Sequence, residues 1–325
     1  MKVYNPQTDR TLHDDLRSLL ACVRAERGFD AGGYVAAKTD MINAYLAAHG
    51  LAGCVVGLSG GLDSAVALAL VSGAASKPGS PIRRIIPVLL PVDDPVSATR
   101  QSEATRLGLE CAAALGLSAA VVDLGGTHRA LKAAVDAAVG VTGEAWASGQ
   151  LVAYARTPAL YYTTSLCSQQ GIPAVVVGTT NRDEGAYLGY VGKAADGMTD
   201  LQIISDLHKS EVRAVAQLTG VPSAILRATP SGDMYDGRVD EEVFGAPYDF
   251  VELYLGWLCA TRGARQQMLR RLSAPARQQF QELAQRLEHL HDYNAHKYLV
   301  GSPAVHLDLY PSAVPGGWQP HPLPS

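Results

Sequence analysis

At 325 residues, 47% of them hydrophobic, the chain is long enough to bury a full core and sits at the upper end of what one domain usually holds. Its 31 acidic residues outnumber 27 basic ones and no Lys/Arg block stands out, which disfavours a nucleic-acid partner, since a phosphate backbone is gripped by clustered positive charge. The N-terminus is polar and charged (Lys2, Asp9, Arg10, Asp14, Asp15), and no stretch reaches the roughly 20 apolar residues that span a bilayer, so neither a signal peptide nor membrane association is expected.

In chain order, residues 38–49 place Met41, Ile42, Tyr45 and Leu46 at near-helical spacing and stop at Gly50, which predicts a helix with a glycine C-cap. Residues 54–58 form a short continuous apolar run of the kind found in strands buried on both faces of a parallel sheet; 85–90, 119–124 and 174–177 repeat it. Between the runs lie Ala/Leu-rich segments at 63–71, 97–115 and 129–139, each long enough for a crossover helix. The alternation predicts an α/β doubly wound parallel sheet flanked by helices. Further on the pattern turns helical, at 209–218, 248–259 and 275–290. Residues 1–300 are expected to form a single domain and 301–325, rich in Pro and Gly, a C-terminal tail. The five cysteines, Cys22, Cys54, Cys111, Cys167 and Cys259, are scattered with no CxxC spacing, which predicts buried, reduced thiols in a cytoplasmic protein and no zinc site.

Ligands of open parallel sheets bind beyond the carboxyl ends of the strands, so motifs that directly follow a strand carry the chemistry. Ser59-Gly60-Gly61-Leu62-Asp63-Ser64 lies between a strand and a helix. Two glycines let the backbone turn N–H groups onto an anion, and the helix N-terminus adds partial positive charge. Asp63 would repel phosphate alone but suits a Mg²⁺ held between carboxylate and phosphate oxygens. A capped Gly-rich turn is the plain alternative. The string is neither a Walker A loop nor GxGxxG. A second cluster, Thr179-Thr180-Asn181-Arg182-Asp183-Glu184, follows the strand at 174–177, and Glu184 with Asp63 would complete an oxygen-rich Mg²⁺ site. The third runs from Gly189 to Asp200 around Lys193 and is followed by Asp206-Leu207-His208-Lys209; glycines around a lysine and acids suit a lid over a phosphate-bearing substrate. Lys209 at a helix start opposes the helix dipole, which points to a role for its charge.

The first string resembles the pyrophosphate loop of N-type ATP pyrophosphatases, which split ATP between its α and β phosphates to adenylate a substrate. In order and approximate spacing, SGGLDS, VVVGTTNRDEGAYLGY, GKAADGMTDL, DLHKSEV and GVP resemble the NAD synthetase family of the ammonia-dependent type, over about Tyr34 to Lys297. The resemblance implies an adenine nucleotide alpha hydrolase-like fold, usually homodimeric, that amidates deamido-NAD (nicotinic acid adenine dinucleotide) with ATP and ammonia, releasing AMP and pyrophosphate. It implies ATP contacts from Gly57, Leu58, Ser59, Gly60, Gly61, Leu62, Asp63, Ser64, Thr179, Lys209 and Ser231. Mg²⁺ ligation falls to Asp63 and Glu184, and deamido-NAD contacts to Arg156, Lys193, Asp200, His296 and Lys297. Asp63, Lys193 and Lys209 are the catalytic candidates. For the dimer interface, the apolar helix 248–259 is the candidate. Most of the chain is taken up by this core, so free ammonia or a partner protein is the expected nitrogen source.

Three departures bear on the acid substrate. Leu89-Leu90-Pro91 stands where many family members place a basic residue, Gly-Tyr-Val-Gly-Lys-Ala-Ala-Asp-Gly replaces a more aromatic loop, and Ala-Arg-Thr-Pro surrounds Arg156 in place of Ala-Arg-x-Arg. A related adenylating amide ligase acting on a different carboxylic acid is therefore the alternative. A non-catalytic nucleotide binder is opposed by the joint presence of Asp63, Glu184, Lys193 and Lys209, and an RNA-thiolating enzyme by the missing basic surface and paired cysteines.

Overall fold

The computed structural model describes residues 11–92, 101–232, 235–298 and 304–310. Strands β1 (Gly53–Gly57), β2 (Arg84–Leu89), β3 (Ala120–Val121), β4 (Ala174–Gly178), β5 (Leu201–Gln202) and β6 (Val305–His306) form one parallel sheet in the order β3-β2-β1-β4-β5-β6. Helices α1 (Asp14–Arg27), α2 (Ala31–Ala48), α3 (Leu62–Ala75), α4 (Gln101–Ala114), α5 (Gly125–Val139), α6 (Ala145–Gln169), α7 (Arg182–Gly185), α8 (Lys209–Leu218) and α9 (Ser223–Arg227) connect and cover the strands. Then α10 (Asp240–Phe244), α11 (Tyr248–Cys259), α12 (Arg262–Arg270) and α13 (Ala274–Asn294) build a helical layer that ends in a 3-10 turn, Ala295–Lys297.

This is the doubly wound sheet with a helical C-terminal part that the sequence predicts, and the four apolar runs become β1 to β4. Val55 of β1 faces one side with Val88, Leu90 and Val152, while Cys54 and Val56 face the other, in the cluster that holds Val66, Leu68 and Leu70 of α3. Both faces being covered, β1 and β4 read as continuous apolar runs, whereas β3, at the sheet edge, leaves Ala120 and Val121 exposed, against the expectation for 119–124. A second helical core gathers Leu16, Leu20, Phe244, Phe250, Leu253, Phe280 and Leu287.

Particular elements agree with expectation or depart from it. The helix expected at 38–49 is the second half of α2. The one expected at 97–115 is seen from Gln101, with 97–100 outside the described residues. Cys22 and Cys259 are exposed, whereas Cys54, Cys111 and Cys167 are buried as expected. Helix α11, the candidate dimer interface, buries Phe250, Val251, Leu253 and Leu255 within its own chain, because α1 and α13 pack on it. Within the segment 301–325, residues 304–310 carry β6 and 311–325 lie outside the described residues.

Strand order reverses at β1, whose neighbours are β2 on one side and β4 on the other. The crevice of such a sheet opens beside the carboxyl ends of these strands. Residues 58–61 leave β1 and 179–181 leave β4 at that point, so the topology brings the first two motifs together. Helix α3 is apolar all round because the sheet, α2, α4 and α8 surround it, and this burial fixes its polar first turn in place.

Candidate active site

Backbone geometry makes the first loop. Gly60 has φ +79°, and a Cβ there would stand 2.2 Å from the carbonyl oxygen of Ala104 in α4, so only glycine fits. Ser59 and Ser64 hydroxyls lie 3.0 Å apart, the Ser64 hydroxyl donates to the Gly61 carbonyl (3.0 Å), and the Ser59 oxygen accepts from the Gly61 N–H (3.3 Å). Helix α3 starts at Gly61 with no side chain capping its first N–H groups. Those donors, together with the positive end of the helix, form a seat for an anion. Leu58 and Leu62 of the same string are buried and anchor the loop through their side chains.

Asp63 in the first turn of α3 meets the second motif. Asn181 caps α7, accepting from the Glu184 N–H (3.1 Å) through its Oδ1, and its Nδ2 donates to Asp63 Oδ1 (3.1 Å) and Glu184 Oε1 (2.7 Å). The ammonium of Lys209, at the start of α8, pairs with Asp63 Oδ2 and lies 3.1 Å from Glu184 Oε1. Tyr248 Oη is 2.7 Å from Glu184 Oε1 and 2.8 Å from Asp240 Oδ2. Among the described residues the cluster thus sets three carboxylates around the Lys209 ammonium. Burial pushes the Glu184 carboxyl well above the usual carboxylate range, with Lys209 opposing. Burial also raises Asp240. At Lys209 burial favours the neutral amine, but the Asp63 and Glu184 carboxylates outweigh it and the ammonium is strengthened.

The donor set fits Mg²⁺. Asp63 and Glu184 both reach the same amide and the same ammonium, so their oxygens converge on one point, beside a loop shaped for phosphate. Mg²⁺ is commonly held by one or two carboxylates plus substrate phosphates and water. Among the described residues no group of three or more His, Cys, Asp or Glu side chains is arranged to hold a metal ion by itself.

Asp183 does not join this pair. It accepts from the backbone N–H of Lys209 (2.7 Å) and contacts His208 Nδ1 (2.6 Å), fixing the first turn of α8. Asp206 accepts from the Tyr34 hydroxyl (2.8 Å) and the fully buried Lys38 (3.1 and 3.2 Å), which secures the same turn from α2.

The remaining site candidates fall into other groups. Thr179 is half-buried just past β4; Ser231 is exposed, and the N–H of the next residue, Gly232, donates to Asp240 Oδ1 (2.7 Å). Lys193 and His296 meet in a second group, the Lys193 ammonium donating to the His296 carbonyl (2.8 Å), while Lys297 donates to the Gly189 carbonyl (2.7 Å). Arg156 of α6 donates to the Leu90 carbonyl (3.3 Å) and Gln101 Oε1 (3.1 Å), bringing a guanidinium to the end of β2, where the sequence itself carries Leu89-Leu90-Pro91. Asp200 stands apart, its carboxylate accepting from the Val176 N–H (2.7 Å) inside the sheet. Four residues to which sequence reasoning assigned no role are structurally central: Asn181, Asp240, Tyr248 and Gln202. Gln202 is fully buried, accepts from the Thr180 N–H (3.3 Å) and donates to the Asp196 carbonyl (3.1 Å), pegging the end of β4 to the 189–200 loop.

A family model described as NAD synthase matches residues 34–300. The chain is 32% identical over 224 residues to an NH3-dependent NAD+ synthetase of Methanococcoides burtonii, covering 69% of this chain and 78% of that protein. With the enzyme of that name from Syntrophomonas wolfei it shares 31% identity, covering 63% of this chain and 76% of the relative. Among solved structures, the NMN synthetase from Francisella tularensis superposes with a TM-score of 0.65 at 24% identity, covering 83% of this chain and 96% of the other, a likeness of fold.

Proposed function

Because the chain belongs to the NAD synthase family, we propose that it amidates deamido-NAD to NAD with ATP and ammonia, through an adenylated carboxylate. The observation that carries this reading is the convergence of Asp63 and Glu184 beside the uncapped N-terminus of α3. Carboxylates beside a phosphate seat suit the release of pyrophosphate.

In the first step a nicotinate carboxylate oxygen attacks the α-phosphorus of ATP, the bond to the bridging oxygen breaks, and pyrophosphate leaves. The N–H groups of residues 59–64 hold the phosphates and Ser59 and Ser64 orient them. Lys209 supplies positive charge to the oxygens that gain charge, and Asp63 with Glu184 would hold Mg²⁺, which would neutralise the leaving pyrophosphate. In the second step ammonia attacks the acyl carbon, the C–O bond to AMP breaks, and the nitrogen loses a proton. Neither step needs a protein nucleophile; positioning carries the catalysis. Arg156, Lys193, His296 and Lys297 form the acid-substrate side, with Asp200 supporting it from the sheet.

We further propose a homodimer through α5 and α6. Leu131, Val135 and Val139 form a stripe at four-residue spacing on α5, and Trp146, Tyr154, Tyr162 and Leu166 are spread around α6, all exposed in the single chain, with Tyr162 66% exposed. Seven large apolar side chains left exposed on two neighbouring helices suit an interaction surface. A reducing, cytoplasmic setting suits five free thiols and an ATP-dependent reaction.

The test is pyrophosphate and AMP release from Mg-ATP with deamido-NAD and ammonium, beside Asp63→Asn. Formation of NAD by the native protein and silence of the variant supports the reading. Turnover with another carboxylic acid but none with deamido-NAD keeps the ATP half and replaces the substrate; no pyrophosphate release with any acid removes both.

A further inference from the structure

Both ends of the short helix α10 reach the site. Its first residue, Asp240, is 3% exposed and lies 2.8 Å from Tyr248 Oη; it accepts from the Tyr190 hydroxyl (3.2 Å) and from the Gly232 N–H (2.7 Å). Its last residue, Phe244, packs edge-on against both tyrosine rings, at 5.0 Å from Tyr190 and 5.3 Å from Tyr248. The three partners of Asp240 belong to three segments: Tyr248 touches Glu184, Tyr190 opens the loop that carries Lys193, and Gly232 follows Ser231. The fit is close, since a Cβ on Gly232 would stand 2.6 Å from the Tyr190 hydroxyl oxygen.

We propose that Asp240 is a positioning residue of the reaction: through Tyr248 it orients Glu184 for the metal, and through Tyr190 and Gly232 it fastens the 189–200 loop and the Ser231 segment to that same carboxylate. The inference rests on the reading of Asp63 and Glu184 as the Mg²⁺ pair. A carboxylate surrounded by two hydroxyls and a backbone N–H has directional work to do, and a metal ligand left without its outer partner turns away from the metal.

The experiment is a Mn²⁺ titration followed by electron paramagnetic resonance, with the full chain and α,β-methylene-ATP. Asp240→Ala and Tyr248→Phe should each weaken Mn²⁺ binding roughly tenfold or more. Asp240→Asn should recover most of the loss, because its Oδ1 still accepts from Gly232 and Tyr190 while its amide donates to Tyr248, leaving the hydroxyl proton for Glu184. Tyr190→Phe should raise the KM for the acid substrate while Mn²⁺ binding holds. If Asp240→Asn binds as poorly as Asp240→Ala, the residue acts by charge and the positioning role is overturned. If both bind like wild type while Asp63→Asn abolishes binding, the proposal alone falls; if Asp63→Asn also binds normally, the metal reading falls first. Should Asp240→Ala not fold, Tyr248→Phe decides, since it removes one oxygen and keeps the ring 5.0 Å from the Lys209 ammonium.

Discussion

Lys209→Met is the substitution that most directly probes the charge arrangement. The methionine keeps the length of the stem and removes the ammonium from between two carboxylates whose side chains are 18% and 15% exposed, the lysine itself being 7% exposed. Removing one partner of a buried ion pair costs about 3–5 kcal/mol, because the charge left behind is uncompensated. With an unfolding entropy of roughly 2.1 cal/mol/K per residue, a chain of this length has about 0.7 kcal/mol/K in all, so the melting temperature should drop by about 4–7 °C at pH 8 without metal. The sign with pH follows from Glu184. Its folded-state carboxyl is raised by burial, so the stability it contributes is present at low pH and lost as pH rises; the deficit of the variant should therefore shrink toward pH 5, where the carboxyl is neutral. Added Mg²⁺ should shift the variant more than the wild type, since in the wild type the ammonium already neutralises the pair. Differential scanning fluorimetry at two pH values, with and without Mg²⁺, reads all three effects. A variant that melts with the wild type at pH 8, or gains no more from Mg²⁺ than the wild type does, refutes the view that Lys209 holds these carboxylates together.

Gly60→Ala forces a left-handed φ on a residue with a Cβ, about 1–2 kcal/mol, and presses that Cβ on the Ala104 carbonyl, about 1–3 kcal/mol more; urea denaturation should show the sum, and pyrophosphate release should fall further still as α3 and α4 part. Asp308, raised to about 6 from 3.8 first by burial and then by Asp206, contributes stability that is complete below pH 3.8 and lost as pH passes 6. Asp308→Asn removes that dependence, so its melting temperature relative to wild type should climb between pH 4 and pH 7 by the equivalent of about 3 kcal/mol; a flat difference would mean that the carboxyl is not desolvated. Tyr162→Glu on α6 should convert a dimer into monomers in sedimentation velocity, without loss of thermal stability measured at low protein concentration; an unchanged sedimentation coefficient would remove the α5–α6 face as the interface.

Legibility in the sequence followed locality. The loop at 59–64 was readable because its demands, a positive φ, bare helix N–H groups and a carboxylate, fall within six consecutive residues. Strands β1 and β4 were readable because they are buried on both faces; β5 and β6, two residues each, leave no pattern at all. Helix α6 was missed for the opposite reason: over 25 residues it buries Ser148, Val152, Thr164 and Cys167 but exposes Trp146, Tyr154 and Tyr162, so apolar side chains lie on more than one face and no single stripe marks it. The interface expectation for 248–259 has a separate origin, since an apolar helix that meets α1, α7, α8 and α13 of its own chain looks in sequence like one that awaits a partner. Asp240 and Tyr248 leave no sequence signal because what makes them important is the link to Glu184, more than fifty residues earlier in the chain, which Tyr248 contacts directly and Asp240 reaches through Tyr248. An acid opening a short helix and a tyrosine in an apolar one have ordinary explanations when read alone.

Lys209 shows how a local conflict is resolved at a distance. A lysine in the first position of a helix faces the positive end of the macrodipole, a placement that costs stability where an acid would add it. The structure supplies the acid from elsewhere: Asp183, from the turn after β4, accepts the backbone N–H of Lys209 and contacts His208 Nδ1, and Glu211 accepts from the His208 N–H (2.9 Å). The helix start is thus satisfied by negative charge that leaves the lysine side chain free to point at Asp63 and Glu184. Asp183 and Glu184, adjacent in sequence, serve opposite ends of one residue, the first holding the backbone of Lys209 and the second facing its ammonium. Asp183→Asn should therefore lower activity through Lys209 without weakening Mn²⁺ binding at the carboxylate pair, so that the Mg-ATP dependence of turnover keeps its midpoint while its maximum falls. A shift in midpoint with an unchanged maximum would place Asp183 among the metal's own partners and break the division of labour between the two acids.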